Sequence, residues 1–238
     1  MMDYSHDFDF FRLIVPCNLD RQSEAVREAI KSGLQQDWGT SWEGGSDDCI
    51  YLGSLNDHRH ERYQTTQAID YLLENREGSI TLFVADTSFT ITVNDAFSDI
   101  LPVEVGGVKL TWERANFRDI LLEETDEKYK VEGVINTVRR FYEHVQPPFA
   151  FSQLPYEWEY EVKVTQQHLD TPELPDIYWL VFLSPELCED IGRSRVRSAP
   201  VWKVEDLADG GLGLVATNNL RYSREHKQRL RAYLGISP

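Results

Sequence analysis

The chain has 238 residues, with 40 Asp+Glu against 24 Lys+Arg and a formal net charge of -16. Six Trp, eleven Tyr and eleven Phe exclude a disordered acidic chain, and a chain of this length can bury a core without disulfides or a structural metal. No apolar run approaches the roughly 20 residues of a membrane-spanning helix, and an acidic field disfavours nucleic-acid backbones and anionic lipid while attracting basic proteins.

Residues 1–7 are acidic and lack the basic region of an export signal, and Cys17, Cys49 and Cys188 are widely spaced and odd in number. Both features lead to the expectation of a cytoplasmic protein with reduced thiols. Residues 10–15 (FFRLIV) read as a buried strand stopped at Pro16. Asp20 or Ser23 is expected to cap a helix whose apolar positions Ala25, Val26, Ala29, Ile30 and Leu34 recur at helical spacing. Residues 37–48 (DWGTSWEGGSDD) form a polar, Gly-rich loop carrying Trp38 and Trp42, followed by a short strand at 49–52. A helix is expected over 61–75, with Ala68, Ile69, Leu72 and Leu73 facing inward and Gly78 ending it.

The period then changes to two. Ile80, Leu82 and Val84, then Phe89, Ile91 and Val93, predict a hairpin turning at 85–88. Gly106 and Gly107 predict a second hairpin over 103–110 through a tight primed turn. After a charged connection at 123–128, residues 130–144 predict a helix with Val131, Val134, Ile135, Val138, Phe141 and Tyr142 on one side, ended by Pro147 and Pro148. Residues 156–164 alternate as a strand, 168–176 form a Pro-containing loop, and 177–183 is a continuous apolar run fit for a central strand. Ser184 caps a helix with Pro185 in its first position and Gly192 after it. Strands at 201–204 and 212–216 are joined by Asp209, Gly210 and Gly211, and Ser223 and Gly235 bound a last helix. The class is α+β: a mixed or largely antiparallel sheet with helices packed on it. It is read as one compact domain over 1–238, the segment near 123–130 being the candidate boundary between two related subdomains.

Several motifs invite chemistry. Asp47, Asp48, His58 and His60 are metal-capable residue types, and two imidazoles one residue apart on a strand can share an ion. That would make a metal-dependent hydrolase, the alternative function. On a loop or helix start the two do not face each other, and no second His or Cys pair completes a ligand set, so no metal, cofactor or catalytic residue is assigned. Gly210, Gly211 and Gly213 precede a strand rather than a helix, which suits a turn and not a phosphate cradle. Residues 193–238 hold nine Lys+Arg against four Asp+Glu, a net of +5, which leaves -21 on the rest of the chain. The cations of the last helix, Arg221, Arg224, Lys227, Arg229 and Arg231, are expected to meet the protein's own acidic surface rather than RNA. Trp38 and Trp42, with Asp47, Asp48, His58 and His60, are the candidate partner-binding residues, aromatic anchors beside acidic groups.

The stretch 178–187 (YWLVFLSPEL), then Ile191 and Gly192, Ala199 and Pro200, 204–207 (VEDL), and Asp209, Gly210 and Gly211, resembles bacterial type VI secretion immunity proteins, a family long described only as a domain of unknown function. In that family a strand and helix with a Ser-Pro start precede a Pro-led strand pair closed by Asp-Gly-Gly. The likeness covers about residues 130–217. It implies a non-enzymatic cytosolic protein that binds and blocks a cognate toxin, with no cofactor and no catalytic signature. A basic toxin would suit the charge.

Overall fold

A computed structural model of the chain describes residues 10–36, 38–39, 48–52, 60–84, 87–94, 106–113, 128–153, 164–218 and 222–236. Strand β1 (Phe10–Pro16) runs one residue further than the Pro16 stop suggests. It leads into helix α1 (Leu19–Gln36). The cap is Asn18, not Asp20 or Ser23: its Oδ1 accepts the Asp20 N–H at 3.0 Å, and its own N–H donates to Gln22 Oε1 at 2.8 Å. The capping side chain sits before the first helical residue, and Leu19 already belongs to the helix.

A two-residue strand β2 (Trp38–Gly39) and β3 (Asp48–Leu52) precede β4 (His60–Gln64). The expected helix at 61–75 therefore loses its first turn to a strand, because β3 supplies ladder partners from Leu52↔His60 to Asp48↔Gln64. Helix α2 (Thr65–Asn75) buries Ala68, Ile69, Leu72 and Leu73, as its periodicity predicts. It stops at Arg76, left-handed at φ 54°, while Gly78 lies inside β5 (Glu77–Val84). Strand β5 and β6 (Thr87–Asn94) form the expected hairpin.

The hairpin expected over 103–110 is described only from Gly106 onward. Strand β7 (Gly107–Glu113) begins at the second glycine, and its two edges are taken by β1 and β6. Residues 103–105 lie outside the described residues. Gly107 is needed for closeness: a Cβ there would stand 2.4 Å from the Val15 carbonyl oxygen.

Helix α3 (Lys128–Val145) buries Val134, Ile135, Val138, Phe141 and Tyr142; the charged connection lies outside the described residues up to 127. Past Pro147 and Pro148 comes an unanticipated strand, β8 (Phe149–Gln153). The expected strand at 156–164 also lies outside the described residues, apart from buried Val164. Helix α4 (Gln166–Asp170) occupies the start of the Pro-containing loop. Then follow β9 (Leu180–Leu183), α5 (Pro185–Ile191), α6 (Arg193–Arg197), β10 (Lys203–Asp206), β11 (Leu212–Val215) and α7 (Arg224–Leu234). The Ser184 hydroxyl accepts the Leu187 N–H, and Ser223 and Gly235 bound α7 as expected.

All the described strands join one antiparallel sheet, ordered β10-β11-β9-β8-β1-β7-β6-β5-β3-β4 with β2 beside β5. Strand alternation divides its two faces. Leu13, Val15, Ile80, Ile91, Leu110, Trp112 and Phe182 pack with apolar residues of α1, α2 and α3. Ile14, Phe151, Val181, Leu183 and Leu214 pack on the other side with Leu187, Cys188, Val196, Leu230 and Leu234 of α5, α6 and α7. The class is α+β, as expected. No helix among the described residues is long and apolar enough to cross a membrane.

Candidate functional site

Trp38 is a core residue. It is 5% exposed, edge-on to Phe89 at 5.1 Å, stacked on Phe141 at 5.8 Å, and covered by the Arg140 guanidinium at 5.2 Å from the ring centroid. Gly33 of α1 admits the ring, since a Cβ there would fall 2.2 Å from it. The expectation of an exposed Trp38 anchor is thereby corrected: the aromatic folds back onto the body because α1 leaves a slot for it. Trp42, Asp47 and His58 lie outside the described residues. Asp48 and His60 belong to the β3–β4 pair, opposite Gln64 and Leu52 respectively. Four residues of strand, about 13 Å, separate their backbone positions. Among the described residues, no group of three His, Cys, Asp or Glu is placed to hold a metal ion.

The C-terminal cations have defined destinations. Asp176, with no exposure, lies 2.7 Å from Lys227 Nζ and 3.2 Å from Arg231 Nη1, so two cations of α7 converge on one buried carboxylate. Lys227 also stands 5.5 Å from the Tyr178 ring centroid. Arg197 pairs with Asp206, and Arg193 with Glu189 at 3.6 Å. At the sheet edge Lys203 pairs with Glu132 at 2.9 Å and with Glu205, which also meets Arg139 of α3. Burial alone would lower Lys203, but the hydrogen bonds it donates to Glu205 and Glu132 overcome it and hold the ammonium above its ordinary pKa. The +5 segment is thus substantially tied to the chain's own acids, as expected for Lys227 and Arg231 of the last helix.

Asp209, Gly210 and Gly211 make the turn between β10 and β11. Asp209 Oδ1 accepts the Gly211 N–H at 2.8 Å, and the Tyr142 hydroxyl donates to Asp209 Oδ2 at 3.1 Å. A Cβ on Gly211 would stand 2.3 Å from the Leu183 carbonyl oxygen. Burial first, then the Asp209 carboxylate, raises the Tyr142 pKa and keeps its hydroxyl protonated. This arrangement shapes a turn; it offers no phosphate cradle.

A cavity of about 370 Å³ opens between α4, α5, α6 and α7. Leu174, Leu187, Ile191, Leu234 and Ile236 give it an apolar floor, and His168, Glu173, Asp190 and Arg195 stand around it. His168 Nδ1 accepts the Thr165 N–H at 2.9 Å, closing a capping box on α4. Arg195 Nη1 donates to the Leu234 carbonyl oxygen at 3.4 Å. Sequence reasoning missed this cavity, whose walls come from four separate helices. It also missed Trp202, 36% exposed beside the edge strand. Tyr233 is 40% exposed, its hydroxyl donating to the Ser198 carbonyl at 3.0 Å; the buried stripe of α7 is Lys227, Leu230 and Leu234.

The chain is similar to a Pseudomonas aeruginosa T6SS protein of known structure, at 9% identity and a TM-score of 0.49, over 95% of this chain and 72% of that one. No protein-family model matches the sequence, and no curated protein does.

Proposed function

We propose that this protein is a non-enzymatic, cytosolic binder of a basic protein, acting as a toxin-neutralising immunity factor. The observation that carries the reading is the destination of the cations. Lys227 and Arg231 converge on one buried Asp176, and Lys203, Arg139 and Arg197 are held by carboxylates of the same chain. Internal pairing leaves the net charge unchanged, so the formal surplus of 16 negative charges stands toward an outside partner, while these five cations are already engaged within the chain. Such a field steers a basic partner and speeds its capture at low salt. The resemblance of residues 178–211 to immunity proteins supports the toxin as partner. The reading keeps Trp42, Asp47, Asp48, His58 and His60 as partner contacts and releases Trp38 to the core.

The test is co-expression and purified binding with basic proteins encoded beside this gene. A toxin among them should be neutralised in cells, and its association rate should fall steeply between low salt and about 0.5 M NaCl. Absence of binding to every neighbouring product, or a salt-insensitive acidic partner, overturns the reading.

A further inference from the structure

We propose that the cavity between α4, α5, α6 and α7 is the seat of an arginine side chain of the basic partner; the inference rests on the reading above and names the chemistry of one contact. Three helices end on this cavity. Glu173 and Leu174 follow the last turn of α4, Asp190 and Ile191 are the last residues of α5, and Leu234 and Gly235 close α7. The dipole of α7, 11 residues long, places its negative end at Leu234 and Gly235 and favours a cation there.

Glu173 and Asp190 are exposed, and no ion pair involves either among the described residues. Asp176 is engaged by Lys227 and Arg231, Glu189 by Arg193 and Asp206 by Arg197. The rim thus holds two uncommitted carboxylates against one guanidinium. That guanidinium is itself a precedent, since Arg195 reaches the α7 terminus and donates to the Leu234 carbonyl. The floor of Leu174, Leu187, Ile191, Leu234 and Ile236 suits an alkyl stem. A planar, weakly hydrated guanidinium on such a stem matches an apolar floor under a ring of acceptors better than a neutral or anionic group does.

The probe is n-butylguanidinium, titrated into the full chain and followed by methyl NMR, with pentanoate as the anionic control of similar stem. Saturable shifts at Leu174, Leu187, Ile191, Leu234 and Ile236 are expected, absent with pentanoate. In the doubly substituted Glu173→Gln/Asp190→Asn chain binding should weaken about tenfold, with the thermal midpoint unchanged because both side chains are exposed. No shifts, shifts elsewhere, equal binding of pentanoate, or undiminished binding by the double variant each overturns the proposal. If the variant still captures a basic partner at full affinity, the cavity assignment falls and the binding reading stands. If the probe binds as expected but no basic protein does, the binding reading falls and the cavity remains a guanidinium site.

Discussion

Two glycines in helices of 18 residues each should respond with opposite sign to the same substitution. Replacing Gly by Ala inside a helix normally gains about 1 kcal/mol, because Gly loses more backbone freedom on folding. At Gly133 of α3 an added Cβ meets nothing within 4 Å. Gly133→Ala should therefore collect that gain and raise the thermal midpoint by about 2–4 °C. At Gly33 of α1 the new methyl would fall 2.2, 2.3 and 2.4 Å from three carbons of the Trp38 ring. Carbon contacts sit near 3.5–4.0 Å, so the ring must retreat by over ~1 Å. It cannot do so freely, wedged between Phe89 and Phe141. Overpacking at the upper end of its range, about 3 kcal/mol, outweighs the helix gain and leaves a net loss of about 2 kcal/mol. Urea unfolding with matched slopes measures both. Gly33→Ala combined with Trp38→Leu should cost less than the two singles summed, since each relieves the other. A Gly33→Ala chain as stable as the parent refutes the tight slot, and with it the core assignment of Trp38.

Asp176→Asn leaves Lys227 and Arg231 facing a neutral amide and should lose about 3–5 kcal/mol. Lys227→Met should lose less, because Arg231 still balances the carboxylate; equal or reversed losses in urea would refute the shared-carboxylate account. Burial pushes the Cys17 thiol up to about 12 and the Cys188 thiol up to about 11. Iodoacetamide at mildly alkaline pH should therefore label neither by peptide mass mapping until urea is added. The unfolded Cys17 thiol ionises near 9.0, so its contribution to stability is complete below that pH and is lost as pH rises toward about 12. Cys17→Ala should flatten that alkaline loss in denaturation series. Lys109 works the other way: burial, then the Arg12 charge, lowers it from 10.5 to about 8. The unfolded chain binds the extra proton between those values, so stability rises with pH across that window. Lys109→Met should remove the rise; a rise that persists assigns it to another group.

Elements decided by neighbours in sequence were readable, and elements decided across the sheet were not. The buried set of α2 and the caps Ser184, Ser223 and Gly235 depend on residues within a turn or two. So does the β5–β6 hairpin, with its alternation of Ile80 and Leu82. By contrast, residues 60–64 (HERYQ) carry no strand alternation, and only pairing with β3 makes them extended. Residues 149–153 (FAFSQ) follow two prolines directly and become a strand because β1 and β9 lie on either side. The burial of Trp38 hinged on Gly33, five positions earlier and unremarkable by itself. The cavity had no local signature, since Glu173, Asp190 and Leu234 meet only after three helices converge.

The place of β1 between β7 and β8 has a consequence for how a newly made chain matures. Among the described strands it is made first, yet its second neighbour, pairing Arg12 with Gln153, is made some hundred and forty residues later. Through that interval an apolar strand edge at Leu13 and Ile14 has no final partner and can recruit a strand of another chain. Strand β1 lies between strands made early and late, so a chain interrupted before residue 149 exposes a sticking edge. Synthesis past residue 153 is the moment at which the edge at Leu13 and Ile14 gains its final partner.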